Sequence, residues 1–328
     1  MKILDCTIRD GGYVNNWQFE KIFRKYYQLM LDLNIDFIEI GFNNIDFEYK
    51  NRLTGKFRYL DNNFLKKFED ILVKEKNAIM INYEDYDSNK LKICNECQFS
   101  IIRIAFHKKD YVNALKLCKE LKDKGFIISA NLMKTDNYSK DEMLDLLKIY
   151  KKYDLDYIYI ADSFGNMYYD DIIKYYNVIK TFDQSIKIGV HLHNSYQNAF
   201  SNFVNIHKFD IEIIDCTLFG MGRGSGNLPL ELILSSKYLK TPKNDIKKLL
   251  IFIADNILPE NGYPNWGYSI DYLFAAYLNL HPTYVSKLRD MKIPYSGIIE
   301  LLDKIKSNNI LNFDNNILLN ELNNYYSK

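Results

Sequence analysis

The sequence has almost no surplus of charge of either sign: 43 lysines and arginines stand against 42 aspartates and glutamates in 328 residues. Without a surplus there is no bulk field to gather nucleic acid or an anionic membrane, and no basic stripe runs along the chain. Nor is there a run of about 18 apolar residues, which excludes a membrane-spanning helix. The chain enters an apolar strand at once, Lys2-Ile3-Leu4, without the basic segment, apolar stretch and cleavage site of a secretion signal. A cytoplasmic location is therefore expected. Cysteine is sparse and odd in number, with five residues scattered at 6, 94, 97, 118 and 216. In a chain of this size they read as reduced thiols. Cys94 and Cys97 form a CxxC without a second pair, which argues against a zinc knuckle.

Short β-branched runs alternate with longer amphipathic stretches. Strands are predicted at 2–7, 37–41, 78–82, 99–105, 126–132, 157–161, 186–191 and 211–216, each apolar enough to be buried on both faces of a parallel sheet. Helical periodicity fills the intervals at 19–33, 64–74, 111–122, 140–153, 170–180 and 196–207. The repeat of roughly 30 residues is that of a βα unit with a right-handed crossover. Eight such units predict an α/β fold, a closed (β/α)8 TIM barrel over residues 1–240. An open doubly wound sheet would suit six strands better, and no GxGxxG follows the first strand. From 241 to 328 no strand pattern remains. Helices are predicted near 245–256, 269–280, 282–291, 296–306 and 315–325, punctuated by a Pro-bounded turn at 259–264, giving a C-terminal helical domain.

The chemistry of such a barrel sits at the C-terminal ends of its strands, and polar residues collect there. Strand 1 runs out through Asp5-Cys-Thr-Ile-Arg-Asp-Gly-Gly12, strand 2 through Glu39, strand 5 through Asn131-Leu-Met-Lys134, and strand 6 through Asp162-Ser163. Strand 7 ends His191-Leu-His-Asn194, and strand 8 ends Asp215-Cys-Thr217. Residues i and i+2 of a strand share a face, so both imidazoles can reach one point above the barrel. Two neutral imidazoles with the carboxylate of Asp10, from a strand one removed around the barrel, make a facial metal site with open positions. A hydrogen-bonded pair of core histidines is the plainer alternative. Arg9 adds a permanent cation beside the carboxylate, suited to a developing oxyanion. The run Gly220-Met-Gly-Arg-Gly-Ser-Gly226 lacks the P-loop lysine and reads as a lid or a close backbone approach to ligand. Asn227, just after it, is a further ligand or an orienting group.

These motifs together resemble the DRE-TIM metallolyases, the HMG-CoA-lyase-like or pyruvate carboxyltransferase barrels. Asp5-Cys-Thr-Ile-Arg-Asp-Gly11 is similar to their D-x-T-L-R-D-G, and His191-Leu-His-Asn194 to their H-x-H-N. Gly226-Asn227 with Glu231 resembles G-N-x-x-x-E, and Ala161-Asp-Ser-Phe-Gly165 resembles A-D-[ST]-x-G. The resemblance implies a divalent ion, Mn2+ or Mg2+ before Zn2+ or Co2+, on Asp10, His191 and His193 with Asn227 as a fourth ligand. It implies Arg9 as stabiliser of an enolate oxygen. Ser163, Asn194 and Glu39, at the ends of strands 6, 7 and 2, are the expected substrate-binding groups.

Within the superfamily the helical tail is most similar to that of the 4-hydroxy-2-oxovalerate aldolases, where a C-terminal tyrosine closes over the site. Tyr268 is the best match and Tyr272 the next. The implied reaction makes or breaks a bond between a pyruvate-type 2-oxo acid and an aldehyde. The alternatives are an acyl-CoA-dependent condensing synthase and a non-catalytic partner barrel. A homodimer, or association with an aldehyde dehydrogenase, is the partnership this resemblance implies. One position departs from it. The aldolases carry a histidine base three residues after the metal aspartate, where this chain has Tyr13, whose phenol, with a pKa of about 10, is a weak base unless its surroundings lower that value.

Overall fold

The computed structural model describes residues 1–44, 53–86, 91, 93–258, 264–307 and 312–327. Eight strands follow the expected order: β1 (Lys2–Asp5), β2 (Phe37–Phe42), β3 (Asn77–Asn82), β4 (Ile101–Phe106), β5 (Ile127–Leu132), β6 (Tyr157–Asp162), β7 (Lys187–Leu192) and β8 (Ile213–Cys216). They form one closed barrel. It shuts where β1 pairs in parallel with β8, from Lys2 opposite Ile213 to Asp5 opposite Cys216. The lower interior is filled by Leu4, Phe37, Ile101, Tyr157 and Ile213. Two residues further along their strands, the same inward-facing series becomes Glu39, Arg103, Tyr159 and Asp215, all buried. This is the period-2 geometry of strands carrying a polar layer upward towards the mouth.

The outer helices bury one face each. In Glu20–Asp32 that face is Phe23, Tyr26, Tyr27 and Met30, spaced as an amphipathic helix requires. Lys140–Lys152 opens with a capping box in which Ser139 and Glu142 satisfy each other's backbone N–H groups. Three boundaries differ from expectation. Strand 1 stops at Asp5 rather than residue 7, because the Asp5 carboxylate accepts from the Thr7 N–H at 2.9 Å and turns the chain into a helical turn, Thr7–Asp10. The segment 64–74 is only a short turn, Asn62–Leu65, followed by the tighter Lys66–Phe68. There Phe64 and Phe68 are drawn into an aromatic cluster with Phe23 and Phe57, with ring centroids 4.7 Å apart for Phe23–Phe68 and 5.1 Å for Phe57–Phe64. The helix expected from 196 begins at Ala199, whose N–H is capped by the Asn194 side chain at 3.1 Å.

Beyond the barrel, Lys243–Asn256 places Leu249 and Ile253 in the barrel's own apolar core. A second core, including Tyr284, Leu288, Ile298, Leu301 and Leu318, joins the helices Ile270–Tyr277, Thr283–Asp290, Tyr295–Lys306 and Asn315–Tyr326. The helix after residue 240 therefore packs with the barrel, and the separate apolar unit starts later. Most of the turn expected at 259–264 lies outside the described residues. The helical unit is fastened over the mouth. Asn166 Nδ2 donates to Ala276 O and Asn279 Oδ1, the Gly267 N–H to Gly224 O, and Trp266 Nε1 to Phe219 O. Among the described residues no helix is long and apolar enough to cross a membrane.

Candidate metal centre

The local folding of the first loop presents Arg9 and Asp10. Thr7 Oγ1 donates to Asp5 and accepts from the Leu218 N–H at 2.8 Å, so the first and last βα loops are pinned to each other. Asp5 and Thr7 are thus the posts of the turn, and Arg9 and Asp10 its working face. Trp17 Nε1 donates to Arg9 O at 3.0 Å and holds the turn from the other side.

The structure brings Asp10, His191 and His193 together, with one donor atom of each within 4.8 Å of the others. All three are buried. His191 Nδ1 lies 2.9 Å from Asp215 Oδ2, and His193 Nδ1 lies 3.1 Å from Gly226 O. With those nitrogens donating to fixed acceptors, both Nε2 lone pairs face the shared point, as in metal-ligating histidines oriented by a carboxylate or carbonyl. Burial, before any charge, drives His193 down to about 3, so it stays neutral. Burial opposes ionisation of Asp10, but the Arg9 guanidinium beside it outweighs burial and holds the carboxyl well below the usual range.

Asn227 Nδ2 donates to Asp10 Oδ2 at 2.5 Å, while its buried Oδ1 has no hydrogen-bond partner. The two imidazoles and the Asp10 carboxylate make a donor set that fits a divalent ion with positions left for ligand, and Asn227 stands beside it with an orphaned oxygen. Two glycines make the approach possible. A Cβ at Gly222 would fall 2.1 Å from Asn227 Nδ2 and 3.1 Å from Asp10 Oδ2, and Gly226 sits at φ +77, with its carbonyl on His193. A second grouping, Cys6 with His191 and Asp215, fits an ion less well. Burial pushes the Cys6 thiol far up, and its Sγ contacts Cys216 O at 3.3 Å.

The expected substrate-binding residues divide. Ser163 stays at the mouth beside His193, where its Oγ accepts from the Lys134 N–H at 2.9 Å. Glu39 is fully buried and taken up by two arginines: Arg9 Nε donates to Oε2 at 2.6 Å, and Arg103 Nη1 lies 2.9 Å from Oε1. It positions Arg9 and is sealed from any ligand. Asn194 is spent capping a helix, as above. Tyr13 lines the mouth, its hydroxyl 3.4 Å from Arg58 Nη1. Tyr268 is 58% exposed, whereas Tyr272, at 7%, lines the same small cavity as His193 with its hydroxyl 3.0 Å from Ser286 Oγ. Ser269, which begins the helix Ile270–Tyr277, leaves Tyr268 on the outside and turns Tyr272 inward.

Three residues gain roles that the sequence reading did not give them. Arg103 bridges Glu39 and Asp215, and Asp215 orients His191 while accepting from the Tyr159 hydroxyl at 2.9 Å. Arg223 projects from the glycine run into the mouth. An arginine inside the apolar run Ile101-Ile-Arg-Ile104 was the available signal for the first of these.

Asp162 organises the loop after β6, accepting from the N–H groups of Asn166 at 3.1 Å and Met167 at 3.2 Å. Burial outweighs those bonds and pushes it up to about 7. The folded value lies above the unfolded one, so its stabilising contribution is full below about pH 4 and is lost as pH rises through 7. Wild-type stability should therefore fall between pH 5 and 8, by roughly 3 kcal/mol from this group. Asp162→Asn should flatten that fall in urea midpoints measured at both pH values. An unchanged slope would remove Asp162 as its source.

An eight-stranded parallel barrel with a two-histidine, one-carboxylate cluster at its C-terminal mouth has the architecture of a barrel enzyme with a candidate metal site. Residues 98–249, which include both histidines and Asn227, match the HMGL-like family model. That match and the relatives that follow make the chain an aldolase-like lyase. It is 24% identical over 242 residues to the 4-hydroxy-2-oxovalerate aldolase of Pelotomaculum thermopropionicum, covering 72% of this chain and 69% of that one. With the enzyme of that name from Thermus thermophilus it shares 23% over 273 residues, covering 80% and 77%. Among solved structures, the N-terminal domain of a Bacteroides vulgatus protein assigned to the aldolases superposes with a TM-score of 0.78 at 29% identity, covering 92% of this chain and 99% of that one. The HMG-CoA lyase of Brucella melitensis shares the fold, with a TM-score of 0.56 at 11% identity over 77% and 97% of the two chains.

Proposed function

We propose that the chain makes or breaks the carbon–carbon bond between a pyruvate-type 2-oxo acid and an aldehyde, in the cytoplasm and with Mn2+ or Mg2+. Held by Asp10, His191, His193 and Asn227, the ion would supply Lewis acidity towards the ketone oxygen of the acid. The observation that carries the reading is Arg9. Its Nε is fixed on Glu39, its Nη1 lies 3.2 Å from Asp10 Oδ1, and its buried Nη2 has no partner. A guanidinium so clamped, with one N–H pair open beside the cluster, is pre-aimed at an oxygen that gains charge when the donor's methyl proton leaves. Ser163 offers a hydroxyl to the acid's carboxylate. Tyr13, at the rim, is assigned the proton exchange at the acceptor oxygen.

The test is exchange of pyruvate methyl protons with solvent deuterium, followed by NMR. Wild-type protein given Mn2+ or Mg2+ should exchange them, and chelation should stop it. His193→Ala should fail to retain metal by elemental analysis and should exchange at background. Loaded wild type that leaves the methyl protons in place overturns the reading, and so does a His193→Ala protein with full metal content.

A further inference from the structure

Between the barrel loops and the helical unit lies a cavity of about 630 Å3, and Arg223 lines both it and the small cavity that holds His193. That is several times what a three-carbon acid needs, so most of it is left for the second reactant. Arg223 belongs to its wall. Among the described residues no carboxylate pairs with this guanidinium: Nη1 lies 3.2 Å from His281 Nε2, and the buried Nε has no hydrogen-bond partner. Burial first, then Arg223 itself, drives His281 well below the usual histidine range, so the ring that Nη1 meets is neutral and holds the guanidinium without cancelling its charge. The same field acts on Lys134, which burial first and Arg223 next push down to about 8. Arg223 also faces the ring of Tyr13 at 5.5 Å.

The rest of the wall is mixed in charge. Arg58, 2% exposed, stacks on Phe42 at 4.3 Å and reaches towards the Tyr13 hydroxyl. Two acids line the cavity as well. Glu84 is neutralised by Lys109 at 2.9 Å, and Asp85 accepts from Asn82. An arginine whose buried Nε is unsatisfied, at the wall of a large cavity, lacks an acceptor that the protein does not provide. Arg9 is clamped by Glu39 beside the metal ligands, whereas Arg223 has no such carboxylate clamp and lines the larger cavity as well as the one beside His193.

We infer that the acceptor is an anionic aldehyde, one carrying a terminal carboxylate or phosphate, bound through Arg223. This rests on the aldolase reading above. Arg223 presents a fork suited to either oxyanion, and Gly222 and Gly224 on its two sides let the backbone place it there.

The experiment has two arms. In the Mn2+-loaded protein with pyruvate as donor, succinic semialdehyde (a carboxylate), glycolaldehyde phosphate and uncharged propanal are compared as acceptors. At least one anionic aldehyde should exceed propanal in kcat/KM, and Arg223→Gln should cut that preference by about 10- to 150-fold, the range for a hydrogen bond to a charged group. Arg223→Lys should keep part of it, and which anion wins identifies the source. A wild type that prefers propanal overturns the inference. So does an Arg223→Gln protein whose preference is unchanged while its KM for pyruvate rises, which would put Arg223 on the donor. The second arm needs no turnover: calorimetry of chelator-treated protein with inorganic phosphate and with succinate. Wild type should bind at least one of them and Arg223→Gln neither; no binding by wild type overturns the anion site. Anion binding without pyruvate exchange would instead sink the aldolase reading and leave the site standing.

Discussion

Replacing Arg9 with lysine should lower turnover by about 10²- to 10³-fold, the usual cost of removing one pre-aimed oxyanion donor, while leaving metal content at the wild-type level. The guanidinium serves three directions at once: Glu39 through Nε, Asp10 through Nη1 and the open site through Nη2. An ammonium is one point charge on a flexible stem and cannot occupy all three. It would settle between the two carboxylates and leave the third direction empty. The ligands do not depend on Arg9 for placement, because Asp10 is fixed by its turn and by Asn227, and the imidazoles by Asp215 and Gly226. Loss of turnover with retained metal therefore separates the oxyanion role from a ligand-holding role. Turnover near wild type in Arg9→Lys would mean that a charge suffices and the fork does not matter. Metal loss in parallel with turnover would make Arg9 a structural partner of Asp10. Exchange rate and elemental analysis on the same samples read both.

What the sequence disclosed, it disclosed through periodicity. Eight apolar runs separated by amphipathic stretches located every strand to within about two residues, because a parallel barrel strand must be apolar on both faces. The clustering of Asp10, His191 and His193 was legible for the same reason: His191 and His193 share a face by the period of a strand, and polar residues at strand ends have one place to go. The failures are of a different kind. Periodicity at 64–74 could not register that Phe64 and Phe68 have aromatic partners from distant segments, which tighten the backbone out of a regular helix. Asn194 and Glu39 have the polarity of substrate contacts, but their side chains are claimed by a helix N–H and by two arginines. Whether a polar residue at a mouth faces ligand or protein depends on partners far away in sequence. Tyr268 and Tyr272 lie four positions apart and look alike until the turn at Ser269 decides which one faces in. Arg223 was hidden by its neighbours, since a run of glycines draws attention to the backbone and away from the single cation within it.

Arg103 leads to the second large effect. It lies at 1% exposure inside the barrel, ion-paired with Glu39 and Asp215 and over the Tyr159 ring at 4.4 Å. The buried layer around it holds Arg9 and Arg103 against Asp10, Glu39 and Asp215, an excess of one negative charge that suits a divalent ion above it. Arg103→Met keeps much of the volume and removes the cation, leaving Glu39 with Arg9 alone and Asp215 with only neutral donors. Breaking a buried pair from one side costs about 3–5 kcal/mol, because an uncompensated charge remains in the interior. The metal-free variant should lose that much in urea unfolding at pH 8. The sign of its pH dependence follows. Arg103 holds the Asp215 carboxyl below its usual range, so Asp215 would titrate higher in the folded variant; the deficit should be largest at high pH and should shrink as the pH falls and Asp215 takes up a proton. Adding Glu39→Gln should recover part of the loss at pH 8. Metal affinity should weaken by about 10- to 100-fold as well, since Asp215 would no longer be held where it orients His191. A variant that loses less than about 1 kcal/mol at pH 8, or whose deficit grows as the pH falls, would show that Glu39 and Asp215 do not depend on Arg103 for their charge.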